Sequence, residues 1–242
     1  GKQLDDLISQ AEQWIQQGTQ YLVANMPASA LQSLSSHFAE RSVLIFNAGA
    51  PQNSLRTDSC LDNVLHTLPS RAMLADALAQ WLIAKRLNNW LLIEGQKDGD
   101  RAYAKALRRA AKRFGAKIVA EKQWSFDSDL RRTAQAELPL YTQTDEYDVV
   151  VVADELGDFG EYVLYNTWYP RPVVGTQGLQ AVTWHRVVEQ WGAAQLQSRF
   201  EKMAERWMNA DDYAAWAAVR TVGEGIAQSG KVTSAQLYPF LI

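Results

Sequence analysis

The side chains able to do chemistry in this chain are few and scattered. His37, His66 and His185 lie far apart, and none has metal-ligand spacing with another histidine or with Cys60. Each reads as an ordinary surface or internally satisfied histidine. Gly95 to Gly99 brackets Lys97 but lacks the Gly-Lys-Ser/Thr of a phosphate-binding loop. Gly223-Glu224-Gly225 falls inside a helical pattern, where a dinucleotide fingerprint would follow a strand. There is no Gly-x-Ser-x-Gly nucleophile elbow. Asp154, Glu155, Asp158 and Glu161 lack the spacing of a calcium loop. The expectation is no catalytic residue, no metal and no cofactor.

Charge is equally restrained. Lys and Arg total 24 against 27 Asp and Glu, a net charge of −3, so nothing global draws the chain to nucleic acid or to anionic lipid. The basic run Arg101, Lys105, Arg108, Arg109, Lys112 and Arg113 faces away from an apolar stripe of Tyr103, Ala106, Leu107, Ala110 and Phe114, as on a helix with a solvated basic face. The longest apolar runs, such as Val149–Ala153, are far below the ~20 residues of a membrane span. Neither nucleic-acid binding nor membrane insertion is expected. Cys60 is the only cysteine, so no disulfide closes within these residues. Its expected partner is a cysteine outside them.

The elements that must position any site alternate between helix and strand. Leu4, Leu7, Ile8, Ala11, Trp14 and Ile15 mark a first helix stopped at Gly18, followed by a strand at 21–24. A helix carrying Leu31, Leu34 and Phe38 leads to a strand at 43–46. Residues 51–62 turn polar and read as a linker or crossing segment. A second unit then offers a helix from Ser70, a strand at 90–93, the basic helix at 101–114 and a strand at 117–120. After a polar stretch rich in Asp, Arg and Thr come strands at 148–153 and 172–174. Helices are expected over 191–207 and 211–228, before an apolar terminus, Tyr238 to Ile242, with no visible companion. Such alternation implies right-handed crossovers and mainly parallel sheets. Two strands cannot make a lobe by themselves, so the chain reads as a fragment with its first lobe incomplete. In sheets of this kind ligands bind beyond the carboxyl ends of the strands. Here those ends are 25–29, 47–50, 95–103, 154–159 and 175–178, rich in Gly, Asn, Asp and hydroxyl groups.

The run Asn63-Val64-Leu65-His66-Thr67-Leu68-Pro69-Ser70, a long helix and then Trp90-Leu91-Leu92-Ile93 resembles the type I periplasmic binding proteins of ABC importers, the leucine/isoleucine/valine-binding class. Asp100-Arg101-Ala102-Tyr103-Ala104 with Phe114 to Val119, and Tyr213-Ala214-Ala215-Trp216 early in a late helix, are similar to further units of that class. A subgroup associated with pyrroloquinoline-quinone-dependent alcohol oxidation is resembled by Phe46–Pro51, Ser70–Gln80, Asp154-Glu155 with Asp158–Tyr162, Arg171–Gly178 and Trp184-His185.

The resemblance implies an α/β, two-lobed fold with Rossmann-like parallel sheets: 1–52 a partial first lobe, 53–62 a hinge, 63–190 the second lobe, and 191–242 helices returning to the first. It implies a periplasmic, monomeric receptor that hands a small-molecule solute to a permease and catalyses nothing. Amino-acid-binding members hold the α-carboxylate with small hydroxyl residues on the first lobe and the amine with an acid on the second. Ser29, Asn47, Tyr103 and Glu155 occupy matching loops, although Pro27-Ala28-Ser29 departs from the usual hydroxyl-rich turn. The candidate ligand residues are therefore Ser29, Asn47 and Gly49, with Tyr103, Glu155, Phe159 and Gln177 from the second lobe. Asn47 is expected to offer donor and acceptor, Tyr103 and Phe159 to stack on the solute, and Glu155 to orient a cationic or hydroxyl group. A ligand-sensing module of a regulator and an α/β enzyme of unknown chemistry remain open on sequence alone.

Overall fold

The computed structural model describes residues 2–125 and 133–242. The chain divides into two compact units, 1–70 with 182–242 and 71–181. The first unit begins with α1 (Lys2–Gln16), β1 (Tyr21–Ala24), α2 (Ala28–His37), β2 (Leu44–Asn47) and β3 (Val64–His66). Its sheet is parallel in the order β1-β2-β3. Every residue of β2 is buried. Successive side chains of a strand point to opposite faces, so both faces must be covered. Ile45 packs with Ala11 of α1 and with Leu31, Leu34 and Phe38 around α2.

The second unit contains α3 (Arg71–Ala84), β4 (Asn89–Glu94), α4 (Asp98–Phe114), β5 (Lys117–Gln123), α5 (Ala134–Tyr141), β6 (Val149–Ala153), α6 (Gly160–Val163) and β7 (Val173–Gly175). Its parallel sheet runs β5-β4-β6-β7. β6 is buried throughout, as an unbroken Val-Val-Val-Val-Ala run requires. One face carries α3 and α4, where Ala75, Leu78, Ala79 and Leu82 meet Tyr103, Ala106, Leu107 and Ala110. The other face carries Leu138, Tyr147, Phe159 and Val163.

The chain then returns through α7 (Ala193–Ala204), α8 (Ala210–Ser229) and α9 (Ser234–Leu241) to the first unit. Asn209 caps α8, its side chain accepting from Asp212 N at 2.9 Å while Asp212 accepts from Asn209 N at 2.9 Å. The apolar terminus does have companions. Tyr238 and Leu241 pack with Leu44, Phe46 and Ala218 on the second face of β2. The start of α9 is pinned by Ser234 N donating to Gln20 Oε1 at 2.8 Å and Ser234 Oγ donating to Ser42 O at 2.5 Å. Gly225 makes room for it, because a Cβ there would lie 3.0 Å from both Leu237 and Leu241.

Other boundaries differ from the sequence reading. Val64–His66 hydrogen-bonds to β2, with Ile45 opposite Val64 and Asn47 opposite His66, so residues 63–70 stay with the first sheet. The divisions fall at 70/71 and 181/182 rather than at 63 and 190. The polar segment at 51–62 is more than a linker, since Leu55, in a 3-10 turn at Asn53–Arg56, is fully buried in the first core. The basic helix is less solvated than its phase suggests. Arg109 and Arg113 close on Asp76 of α3 at 2.6 and 2.8 Å, and Arg108 bridges Glu94 and Glu121. Of the polar stretch between Ala120 and Asp148, residues 126–132 lie outside the described residues.

Candidate functional site

In the first unit, the loop after β2 is built around Asn47. Its side chain is fully buried, and Nδ2 donates to Ala50 O and to His66 Nδ1, both at 2.9 Å. Oδ1 accepts from Gly49 N at 3.1 Å and from Ala50 N at 2.8 Å. An amide has two donors and one oxygen, and here all are engaged. Asn47 therefore shapes the loop and has nothing left for a solute, contrary to the role expected of it. Gly49 is likewise committed: a Cβ would lie 2.1 Å from Asn25 Oδ1 and 2.8 Å from the backbone of Asn25 and Met26. Glycine allows the loops after β1 and β2 to touch. Ser29, in the first turn of α2, remains exposed.

Beside this loop lies a group that sequence reasoning passed over. Arg56, last residue of the 3-10 turn, donates through Nη2 to Leu68 O at 2.5 Å. Its Nη1 is buried and donates to no group among the described residues. Gln52 Oε1, at the start of the same turn, is also buried without a donor. His66 accepts on Nδ1, which leaves its proton on Nε2. Burial first, then the Arg56 charge, pushes its basicity below the usual histidine range, with the Leu55 carbonyl opposing in part. Burial also lowers the basicity of Arg56, but a guanidinium remains charged at any working pH.

In the second unit two buried carboxylates hold the strand-end loops. Asp154 Oδ2 accepts from Phe159 N and Gly160 N at 2.8 and 2.7 Å, and Oδ1 accepts from Asp158 N at 2.9 Å. Asp100 Oδ2 accepts from Lys97 N at 3.0 Å, while Oδ1 accepts from Glu155 N at 2.8 Å. Glu155 meets Arg71, first residue of α3, in a bidentate pair at 2.6 and 2.7 Å. That Arg71 side chain is only 10% exposed and that of Glu155 27%. Tyr103 is nearly buried in the core beneath α3 and α4, and its hydroxyl is pushed up to about 12 by burial and by the Glu155 charge.

The aromatic pair expected to hold a solute is not brought together. Tyr103 belongs to one core of this unit and Phe159 to the other. Phe159 is instead stacked on Trp124, ring centres 4.2 Å apart. Gln177 is half-buried over α6, its Cγ 2.3 Å from where a Cβ on Gly160 would stand, and its amide has no hydrogen bond among the described residues. Of the candidates, Ser29, Glu155 and Gln177 keep polar atoms in reach of solvent. Arg56 and Arg71 were missed because an arginine's role depends on which distant groups it meets, and Glu155 is 84 residues from Arg71. Among the described residues no three His, Cys, Asp or Glu side chains gather as a metal site, and no helix is long and apolar enough to cross a membrane.

A family model described as periplasmic binding protein matches residues 1–158. No curated protein sequence matches the chain. Among solved structures, a branched-chain amino acid ABC transporter periplasmic ligand-binding protein from Burkholderia xenovorans superposes with a TM-score of 0.75 at 14% identity, over 98% of this chain and 68% of that one. An ABC transporter substrate-binding protein from Desulfitobacterium hafniense in complex with Leu gives 0.69 at 16% identity, over 93% and 69%. A solute-binding protein of an ABC transporter from R. palustris in complex with benzoate gives 0.66 at 13%, over 98% and 69%. At these identities the likeness shows the fold, an α/β architecture of parallel sheets shared with type I periplasmic binding proteins. With a family match across nearly two thirds of its length, the chain belongs to the periplasmic binding protein family, whose members bind solutes outside the cytoplasm and are not enzymes.

Proposed function

We propose that this protein is the solute receptor of an ABC importer, capturing a small polar molecule and handing it to a permease. The observation that carries the reading is the family match over residues 1–158. Two structural neighbours hold leucine and benzoate, small solutes of the size such a receptor captures. Ser29 in the first unit and Glu155 and Gln177 in the second are the contacts proposed from the original candidates, each on its own unit, because their side chains stay within reach of solvent. Tyr103 belongs to the core, and Asn47, Gly49 and Phe159 hold the loops in shape. The likeness of Phe46–Pro51, Asp154–Tyr162 and Arg171–Gly178 to the pyrroloquinoline-quinone-associated subgroup supports a solute drawn from alcohol oxidation.

The test is titration calorimetry of the full protein against amino acids, aromatic alcohols, organic acids and quinone cofactors. Glu155→Ala and Gln177→Ala are compared with Lys105→Ala, an exposed residue of the basic helix. A bound solute, weakened by the first two changes and not the third, is the expected result. Equal affinity in all three places the contacts elsewhere.

A further inference from the structure

We infer that the outer surface of α3 and α4 is a docking surface for the anionic headgroups of a phospholipid membrane. Such a surface holds the receptor beside its permease whatever solute it carries. Charge in the second unit is divided in two. Residues 71–122 hold 12 Lys and Arg against 5 Asp and Glu, whereas residues 133–181 hold 1 against 8. The near-neutral total of the chain hides these opposed halves. The sheet stands between them, with α3 and α4 packed on one face and α5 and α6 on the other.

The cations of the helix layer are of two kinds. Most arginines are spent on fixed acids: Arg109 and Arg113 on Asp76, Arg108 on Glu94 and Glu121, and Arg101 on Asp98. Lys85, Lys105 and Lys112 are exposed and meet no carboxylate among the described residues. Lys105 and Lys112 stand two turns apart on α4, on the side opposite the buried Tyr103, Leu107 and Ala110. On α3, Met73, Ala77 and Trp81 recur at every fourth position and face solvent, Met73 by 55% and Trp81 by 44%. Lys85, one turn further on, holds its ammonium 5.8 Å from the Trp81 ring centre. Lysines set around an exposed tryptophan and methionine make an amphipathic surface of the kind that lies in a membrane interface.

Two features favour a lipid surface over an acidic protein. The carboxylates of a protein partner are fixed, and the planar fork of arginine matches them best, yet these arginines already hold acids of their own chain. The cations left over are lysines, compact charges on flexible stems that can follow mobile phosphates. Tryptophan, in turn, settles at headgroup depth, where its ring meets acyl chain and its N–H meets water. Each lysine near an anionic surface strengthens partition about five-fold, so Lys85, Lys105 and Lys112 together supply about 100-fold, and salt screens it. A permease lies in such a membrane, and on that point alone the surface depends on the receptor reading.

The experiment is co-sedimentation of the full protein with vesicles of phosphatidylcholine alone, or of two parts phosphatidylcholine to one of phosphatidylglycerol. Partition is expected to be at least about 10-fold stronger on the anionic vesicles and to fall as salt is raised. Lys85→Gln with Lys112→Gln should weaken it about 25-fold, and Trp81→Ala should weaken it as well. Lys202→Gln with Lys231→Gln, an equal change of charge at exposed positions of the first unit, should leave it unchanged. Equal partition on both vesicles, binding to neither, or equal loss in the two double variants overturns the inference. So does self-association without vesicles that Lys85→Gln with Lys112→Gln abolishes, which assigns the surface to the acidic half of a second copy. Solute calorimetry on the same samples tests the receptor reading separately, so either can fail while the other stands.

Discussion

Asp154 should be the most sensitive polar residue of the second unit. Its carboxylate accepts three backbone N–H groups, of which Phe159 and Gly160 are buried and Asp158 is exposed. A hydrogen bond to an ionised group contributes about 1.5–3 kcal/mol, and an orphaned buried donor loses its solvation as well. Water replaces the partner of Asp158, so two bonds decide the outcome, ~3–6 kcal/mol before the loop relaxes. Relaxation returns part of this, and Asp154→Ala should lose about 3 kcal/mol of stability, read from urea unfolding. Asp154→Asn keeps one oxygen toward the buried pair and should lose about 1 kcal/mol. Hydrogen exchange supplies the local readout: the Phe159 and Gly160 amides should lose protection in Asp154→Ala. A loss below about 1 kcal/mol with both amides still protected would refute the claim that this carboxylate builds the loop.

Three further outcomes follow from the same geometry. Glu155→Gln leaves the Arg71 guanidinium nearly buried and uncompensated, costing about 2 kcal/mol once the partial exposure of Glu155 is discounted, and Arg71→Met with Glu155→Leu should recover most of it in urea unfolding. Gly49→Ala forces apart the backbones after β1 and β2 and should cost about 2 kcal/mol, measured as a lowered midpoint at unchanged slope. His66 holds its proton less tightly folded than unfolded, so the unfolded chain protonates first. Stability is whole above about pH 6.5 and falls as pH drops below it, and His66→Gln should flatten that part of a stability profile taken between pH 7.5 and 5.

What could be read from sequence was whatever depends on neighbours in sequence. The unbroken Val149–Ala153 run is a strand buried on both faces, and the stripe from Tyr103 to Ala110 is the buried face of α4. β3 escaped because three residues are too few to show a period, and its assignment rests on pairing with β2 across the intervening turn. α5 and α9 escaped because each carries a proline inside, Pro139 and Pro239, where sequence rules stop a helix. The candidate site failed for another reason. Asn47 stands at a strand end where a ligand residue would stand, but whether its amide faces a solute or its own loop depends on His66, 19 residues on. The unpaired state of Arg56 is a property of everything packed around it, which no local pattern records.

The central claim is that this protein binds one small molecule and returns it unchanged. The most direct measurement is mass spectrometry of the protein purified from its native source, first intact under non-denaturing conditions and then after acid release of what it carries. The account predicts one small solute per chain, recovered chemically identical after hours of incubation with fresh protein. No retained or added solute at any concentration, or a solute recovered in altered form, would contradict it.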